Sequence, residues 1–263
     1  MTIEQMCRRR KELGYSYRQL ADLTRIPLGT IQKIFGGVTR SPRRETIKAL
    51  ERLLGDNEKG SDEELRTFLM PGYEKARGEL DLYDYYRIPD NMRAELIDGR
   101  FYEMEAQGLL EQMAAGLIGA QLIRQIEMKG LEWAALFASP SVRLNKDKWT
   151  VVEPDLIVVS ARSKLQKKRI EGAPDFVLEV TSNATHKKDL VMKTYKYEEA
   201  GVHIYWVLEP ERRRLLTYDF RGKGEFEIYE LGKDTEAVFE LEGHVFRIDF
   251  GPVIAGISGL EDK

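Results

Sequence analysis

Apolar positions over the first 55 residues recur at helical spacing and are interrupted at short intervals. Ile3, Met6, Arg10 and Leu13 set out one amphipathic face, and Gly14 stands where such a helix closes. Ser16 can cap a second helix, Tyr17 to Thr24, that turns Leu20 and Ala21 inward together with Leu23. Arg25-Ile26-Pro27 breaks the chain. A third helix, from about Leu28 to Phe35, offers Ile31 and Ile34 to a core and shows Thr30, Gln32 and Lys33 on its other face; Gly36-Gly37 stops it. A last helix, Arg43 to Leu54, places Ile47, Leu50, Leu53 and Leu54 inward. From Asp56 to about Gly78 the pattern loosens, with a polar stretch over 56–62 and a Pro71-Gly72 turn. Residues 56–78 read as a linker in which 63–70 can still form a helical turn or two.

Residues 79–263 mix two periods. Ala94 to Ile97 and Arg100 to Met104 flank Asp98-Gly99, a hairpin signal. Leu109 to Met128 is long and apolar on one side, which predicts a helix. Strands are expected at 136–138 and 142–144, then at the strongly apolar runs Leu156 to Val159 and Phe176 to Val180. A helix from about Lys187 to Ala200, closed by Gly201, precedes strands at 204–208, 215–218, 225–229 and 245–250. The fold class is α+β: a small all-α head over 1–55, then a mixed sheet flanked by helices over 79–263.

Composition narrows the chemistry. A single cysteine, Cys7, and three histidines exclude a disulfide framework and a Cys/His structural zinc site. No apolar run approaches the roughly 18 residues needed to cross a bilayer, and Arg8-Arg9-Arg10-Lys11 stands where a signal peptide would need its apolar stretch. A soluble, cytoplasmic protein with no membrane partner is expected. The net charge of −3 hides a split: residues 1–55 hold 12 Lys/Arg against 5 Asp/Glu, or +7, and the remaining 29 against 39 give −10. A basic head on an acidic body points to a head that meets a polyanion by itself.

Two short helices joined by a turn, with polar residues at the start of the second, form the layout that enters a DNA major groove. Gln32 can bond bidentately to adenine and Lys33 to guanine, with Thr30 beside them, while Arg18, Arg25, Arg40 and Arg43 can hold phosphates. Ser16-Tyr17-Arg18-Gln19-Leu20-Ala21, followed by Ile26-Pro27-Leu28-Gly29-Thr30-Ile31, resembles the lambda-repressor-like helix-turn-helix family (the xenobiotic-response-element type). That resemblance spans essentially all of 1–55 and implies double-stranded DNA as the partner. Tyr17 stands where the family usually carries a phosphate-contacting glutamine.

In the body, two acids hold costly positions. Asp155 opens an apolar strand after Glu153-Pro154, and Glu179 sits inside one, sharing a face with Val177 while Phe176, Leu178 and Val180 take the other. A buried carboxylate costs several kcal/mol unless paired, protonated or metal-bound. Two of them on neighbouring strands make a hard oxygen site suited to Mg2+, with Mn2+ as its substitute. On the following helix Asp189, Lys193 and Tyr197 fall at i, i+4, i+8, so Lys193 is the nearest candidate cation. Two carboxylates, a metal and a lysine suffice for phosphodiester hydrolysis.

Val152 to Asp155, Gly172 to Val180, Asp189 to Lys193, Tyr197, Gly201-Val202 and Tyr205-Trp206 resemble the Uma-type restriction-endonuclease-like proteins of the PD-(D/E)XK nuclease superfamily. Glu95 to Gly99 and Ser139 to Leu144 match upstream, so the resemblance spans roughly 81–220. It implies a restriction-endonuclease-like fold, metal ligation by Asp155 and Glu179, and a motif lysine at Lys193 in place of Thr181. The chain departs from the pattern in its first long helix, where a small-Pro-Ser segment and a histidine become Ala106-Gln107-Gly108 and Glu111, and a glutamate becomes Leu117. After the glutamate strand, Ser182-Asn183-Ala184-Thr185 replaces the more usual Ser-Pro-Ser-Thr.

Simpler readings stand beside these. Asp155 can cap a turn, and Glu179 can form a structural ion pair with Lys193. Tyr195 and Tyr197 read as packing residues, Glu95 as a solvated hairpin acid or else one that approaches the metal, and His186 as a solvated helix-start residue or else a contact to a backbone phosphate. The basic stretch 164–169 reads as an exposed loop or helix face, or else as the lining of a nucleic-acid groove. The leading expectation is a bacterial Mg2+-dependent endodeoxyribonuclease. The rival is a DNA-binding regulator whose nuclease-like body serves dimerisation or sensing. Repressor-like heads and nucleases often pair, so a homodimer is the assembly considered.

Overall fold

The computed structural model describes residues 2–12, 17–24, 26–39, 42–54, 80–89, 92–104, 106–137, 141–145, 147–181, 192–222 and 225–261. These fall into two compact units. One holds the helices α1 (Ile3–Glu12), α2 (Tyr17–Thr24), α3 (Leu28–Phe35) and α4 (Arg44–Leu54), with 192–195 grouped with it. Its interior is made by Met6, Leu20, Ile31, Ile34, Leu50 and Leu54. These and Ala21 are inward positions of the helical pattern; of the others, the side chains of Leu13, Leu23 and Leu53 lie outside the described set, and Ile3, Arg10 and Ile47 are only half-buried. Gly37, at φ 75°, takes the left-handed conformation that ends α3. The expected linker, 56–78, lies outside the described residues.

The second unit contains α5 (Leu82–Tyr85), β1 (Ala94–Ile97), β2 (Arg100–Glu103), α6 (Leu109–Met128), β3 (Ala134–Phe137), β4 (Ser141–Arg143), β5 (Val151–Val152), β6 (Leu156–Val159), β7 (Arg169–Glu171) and β8 (Phe176–Val180). It continues with α7 (Thr194–Ala200), whose first two residues group with the first unit, β9 (Ile204–Glu209), β10 (Arg214–Asp219), β11 (Glu225–Glu230), β12 (Glu236–Leu241), β13 (His244–Asp249) and α8 (Gly251–Glu261). Asp98 (φ 50°) and Gly99 (φ 72°) close the β1–β2 hairpin with two left-handed residues, the geometry a type I′ turn requires.

The strands form a five-stranded sheet ordered β2-β1-β5-β4-β7, a six-stranded sheet ordered β11-β10-β9-β8-β6-β3, and the β12–β13 ribbon. Helix α6 sets Ala114, Ile118, Leu122 and Ile126, four residues apart, against the face carrying Leu156, Val158, Phe176 and Leu178. The ribbon adds Phe239, stacked 4.9 Å from Phe176, and α8 adds Val253, Ile254 and Ile257. The mixed α+β architecture is the expected one. Strands β5, β7 and β12 and helices α5 and α8 are additions to the expected elements. The helix expected from about Lys187 is seen over Thr194–Ala200, and 187–191 lie outside the described residues.

Candidate active site: two opposed carboxylates

The chain leaves the five-stranded sheet through β5 and enters the six-stranded sheet through β6. Glu153-Pro154-Asp155 is the bridge. Strand β6 runs antiparallel to β8 with Leu156 opposite Leu178 and Ile157 opposite Val177. Extending that register by one residue sets Asp155 opposite Glu179. Opposed side chains of an antiparallel pair lie on the same face with Cβ atoms about 5 Å apart. Both are buried, with 8% and 3% of their surface exposed.

Hydrogen bonds hold each acid. Asp155 Oδ2 accepts the amide of Val180 at 2.6 Å, and Oδ1 accepts a short bond from the Gln107 side-chain amide. Glu179 Oε1 accepts the hydroxyl of Tyr197 at 2.7 Å, and Tyr197, fully buried on α7, packs its ring 4.9 Å from that of Tyr205. The Tyr197 hydroxyl is a contact missed by the packing reading, because the side chain is both a packing residue and a donor. Tyr195, read as a packing residue, is instead exposed. Lys193 is buried just ahead of α7, and Asp189 and His186 lie outside the described residues.

Glu95 corrects its reading as a solvated hairpin acid. It is fully buried, and its Oε1 accepts the Glu153 amide at 2.9 Å. Pairing of β5 with β1 covers it, which the hairpin alone could not foretell. Glu153 is held in turn by Tyr85 (2.8 Å) and Arg93 (2.7 Å). Burial, then the charge of Glu153, pushes the Tyr85 phenol well above its ordinary range. Glu95, Tyr85 and Arg93 thereby fix the bridge that presents Asp155. On α7, Lys196 clamps the hairpin turn through Asp98 at 2.6 Å while also pairing with Glu199 at 2.9 Å.

At the departures in α6, Glu111 folds back over its own helix N-terminus, its carboxylate crowding Gly108, where it complements the helix dipole. Leu117 packs against the apolar core. Neither supplies an auxiliary group of the family type.

A second acidic group, Asp175, His203 and Glu242, has ligand atoms within 4.8 Å of one another. It lies at the start of β8, about 13 Å along the strand from Glu179. Asp175 already takes the Ser160 amide at 2.6 Å and the Lys164 ammonium at 3.0 Å. The Lys164 ammonium is a resident counter-ion of this second group. Lys164 sits in a short 3-10 turn and Arg169 in β7, so 164–169 is not one continuous loop or helix face.

In the head, Gln32 and Lys33 are exposed on α3, Thr30 is half-buried, and Arg43 is exposed. The side chains of Arg18 and Arg40 lie outside the described residues. Tyr17 is committed to packing, with its ring 5.8 Å from Phe35 and the Arg10 guanidinium 4.7 Å from its centroid.

A mixed α+β body with acids at the junction of its sheets, following a small helical head in the chain, defines a nuclease-like fold joined to a helix-turn-helix. The chain belongs to the family described as "Uma2: Putative restriction endonuclease", whose model matches residues 82–244, and a helix-turn-helix model matches residues 8–55. A similar crystal structure, titled as that of "a putative nuclease belonging to DUF820" from Anabaena variabilis ATCC 29413, aligns with a TM-score of 0.55 at 13% identity. The alignment covers 68% of this chain and 99% of that one, and shows a shared fold. No curated protein matches the chain. Among the described residues, no helix is long and apolar enough to cross a membrane.

Proposed function

We infer that the chain is a DNA-binding, Mg2+-dependent endonuclease that hydrolyses phosphodiester bonds in double-stranded DNA, with Mn2+ able to replace Mg2+. The observation that carries this reading is the placement of Asp155 opposite Glu179, both buried and both hydrogen-bonded. The pair suits a small divalent ion in its chemistry: two buried carboxylates on neighbouring strands are hard oxygen donors of the kind Mg2+ takes. Asp155 and Glu179 would hold the metal, which when bound neutralises phosphate charge and lowers the pKa of water. The chain's own groups do the rest. Val180 N–H and Gln107 orient Asp155, Tyr197 orients Glu179, and Lys193 supplies the cation that positions the attacking water. The helix-turn-helix would deliver duplex through Thr30, Gln32 and Lys33, with Arg18, Arg40 and Arg43 on phosphates. A pair of copies would bring one site to each strand, in a bacterial cytoplasm.

The rival, an inactive body serving a DNA-binding regulator, draws on particular residues. Leu117 is packed apolar, Glu111 is spent on its own helix end, and the Gln107 amide already sits on Asp155. Plasmid cleavage with Mg2+ or Mn2+ separates the two. The nuclease reading requires nicking or linearisation that Glu179→Ala and Lys193→Ala both abolish. Equal plasmid integrity with all three proteins transfers the assignment to the regulator.

A further inference from the structure

At one part of the body's surface exposed rings are each paired with a cation, two of which, Lys148 and Arg169, also pair with Asp81 and Glu171. Tyr83 and Tyr86, at α5, are 66% and 50% exposed, and Trp149, just before β5, is 45% exposed. Each ring carries a cation: the Arg87 guanidinium lies 5.2 Å from the Tyr83 centroid, Lys148 Nζ 5.3 Å from that of Trp149, and the Arg169 guanidinium 5.6 Å from that of Tyr86. The three pairs are contiguous. The Leu82 amide bonds the Lys148 carbonyl at 2.8 Å, tying Trp149 to α5, and Arg169 Nη1 donates to the Tyr86 hydroxyl at 3.2 Å. Lys167 and Lys168, both exposed, extend the positive end.

This arrangement is built rather than incidental. Asp81 and Asp84 close a capping box on α5, which fixes the short helix. Its inner side, Leu82 and Tyr85, packs on the small core of Leu80, Leu96, Phe101 and Val151, leaving Tyr83 and Tyr86 outward. Tyr85, adjacent to Tyr86, donates to Glu153, and Asp155 follows two residues later, at most about 7 Å of chain.

We propose that Tyr83, Tyr86 and Trp149, with Arg87, Lys148 and Arg169, form a stacking track for single-stranded DNA leading to Asp155. Exposed rings stack on unpaired bases, whose faces are hidden within a duplex, and the adjoining cations meet the phosphates. The route to Asp155 rests on the nuclease reading; the strand binding does not.

The test uses the full chain in EDTA, so that binding is read without cleavage. A short fluorescein-labelled oligothymidylate is titrated by anisotropy, with tryptophan emission followed in parallel. Trp206 is buried and Trp133 packs on Phe246, so quenching reports Trp149. Tyr83→Ala/Tyr86→Ala and Trp149→Ala should each weaken strand binding by roughly tenfold or more, with circular dichroism unchanged. A wild type that does not bind, or ring variants that bind equally well, overturns the track. Strand binding lost in the ring variants while wild type never cleaves plasmid supports the track and removes only the nuclease reading.

Discussion

The hydroxyl of Tyr197 donates to Oε1 of Glu179 across 2.7 Å, inside a buried space between α7 and β8. The bond does two things. It satisfies a carboxylate that would otherwise be costly to bury, and it fixes which way that carboxylate faces. Removing such an outer partner typically lowers metal affinity or activity by about 10- to 100-fold. Tyr197→Phe keeps the ring packed against Tyr205, so the fold should survive with a loss of about 1–3 kcal/mol. Mn2+ titration of plasmid cleavage should then show a higher metal requirement for the variant. A metal requirement equal to wild type would assign Tyr197 to packing alone.

The sequence makes Glu179 legible because an acid inside Phe-Val-Leu-Glu-Val has no cheap solvent-facing explanation. Asp155 follows because it opens the neighbouring apolar run. Glu95 lies in the similar string Ala-Glu-Leu-Ile, but it comes beside a turn, where acids are usually solvated. Its burial arises only when β5 pairs with β1 and α5 covers that sheet. Tyr197 reads as an ordinary helical aromatic until the strand beneath it is placed. Helix α8 escapes the pattern because Gly251, Gly256 and Gly259 depress its propensity; burial of Val253, Ile254 and Ile257 holds it. Strand β12 is masked in the sequence because Val238, exposed in the fold, joins the inward Ala237 and Phe239 in an apolar run and breaks the period-two signal.

On the head, exposure separates two kinds of contact. Gln32 faces out from α3 and suits a base edge, so Gln32→Ala should cost about 1–3 kcal/mol at one base pair of a preferred site and little elsewhere. Arg43 is exposed just before α4 and suits a phosphate. Arg43→Gln should weaken all duplexes alike and reduce the slope of log affinity against log salt by about 1. Gel shifts over a salt series read both effects. Identical slopes for wild type and Arg43→Gln would exclude the phosphate contact.

Two phenols make the body sensitive to alkali. Tyr85 is raised first by burial and then by the Glu153 charge and hydrogen bond, and Tyr229 is pushed up to about 12 by burial and its bond to Glu227. An ordinary phenol ionises near 10. The unfolded chain therefore releases these protons before the folded chain does. Their contribution is whole below about pH 10 and is lost as pH rises toward the folded values. Urea melts at successive pH values from about 9 to 11 should show wild-type stability falling more steeply than that of Tyr85→Phe. Parallel curves for the two proteins would mean that Tyr85 ionises in the folded state as freely as in the unfolded one.

Helix α6 contains two glycines whose replacement should act in opposite directions. A methyl group added at Gly116 meets nothing within 4 Å, so Gly116→Ala gains only the helical preference of alanine, roughly 0.5–1 kcal/mol. At Gly119 the same methyl would lie 1.8 Å from Cε1 of Phe137, far inside contact distance. Propensity again favours alanine by up to about 1 kcal/mol, but displacing a ring typically costs about 1–3 kcal/mol. The overlap should win, and Gly119→Ala should lower the melting temperature. Phe137 is partly exposed at the end of edge strand β3, so trimming it to alanine removes the clash at modest cost. In the Gly119→Ala/Phe137→Ala double variant the glycine substitution should therefore become neutral or stabilising. Thermal melts of the four proteins form a double-mutant cycle, and a purely additive result would show that the ring does not set the requirement for glycine.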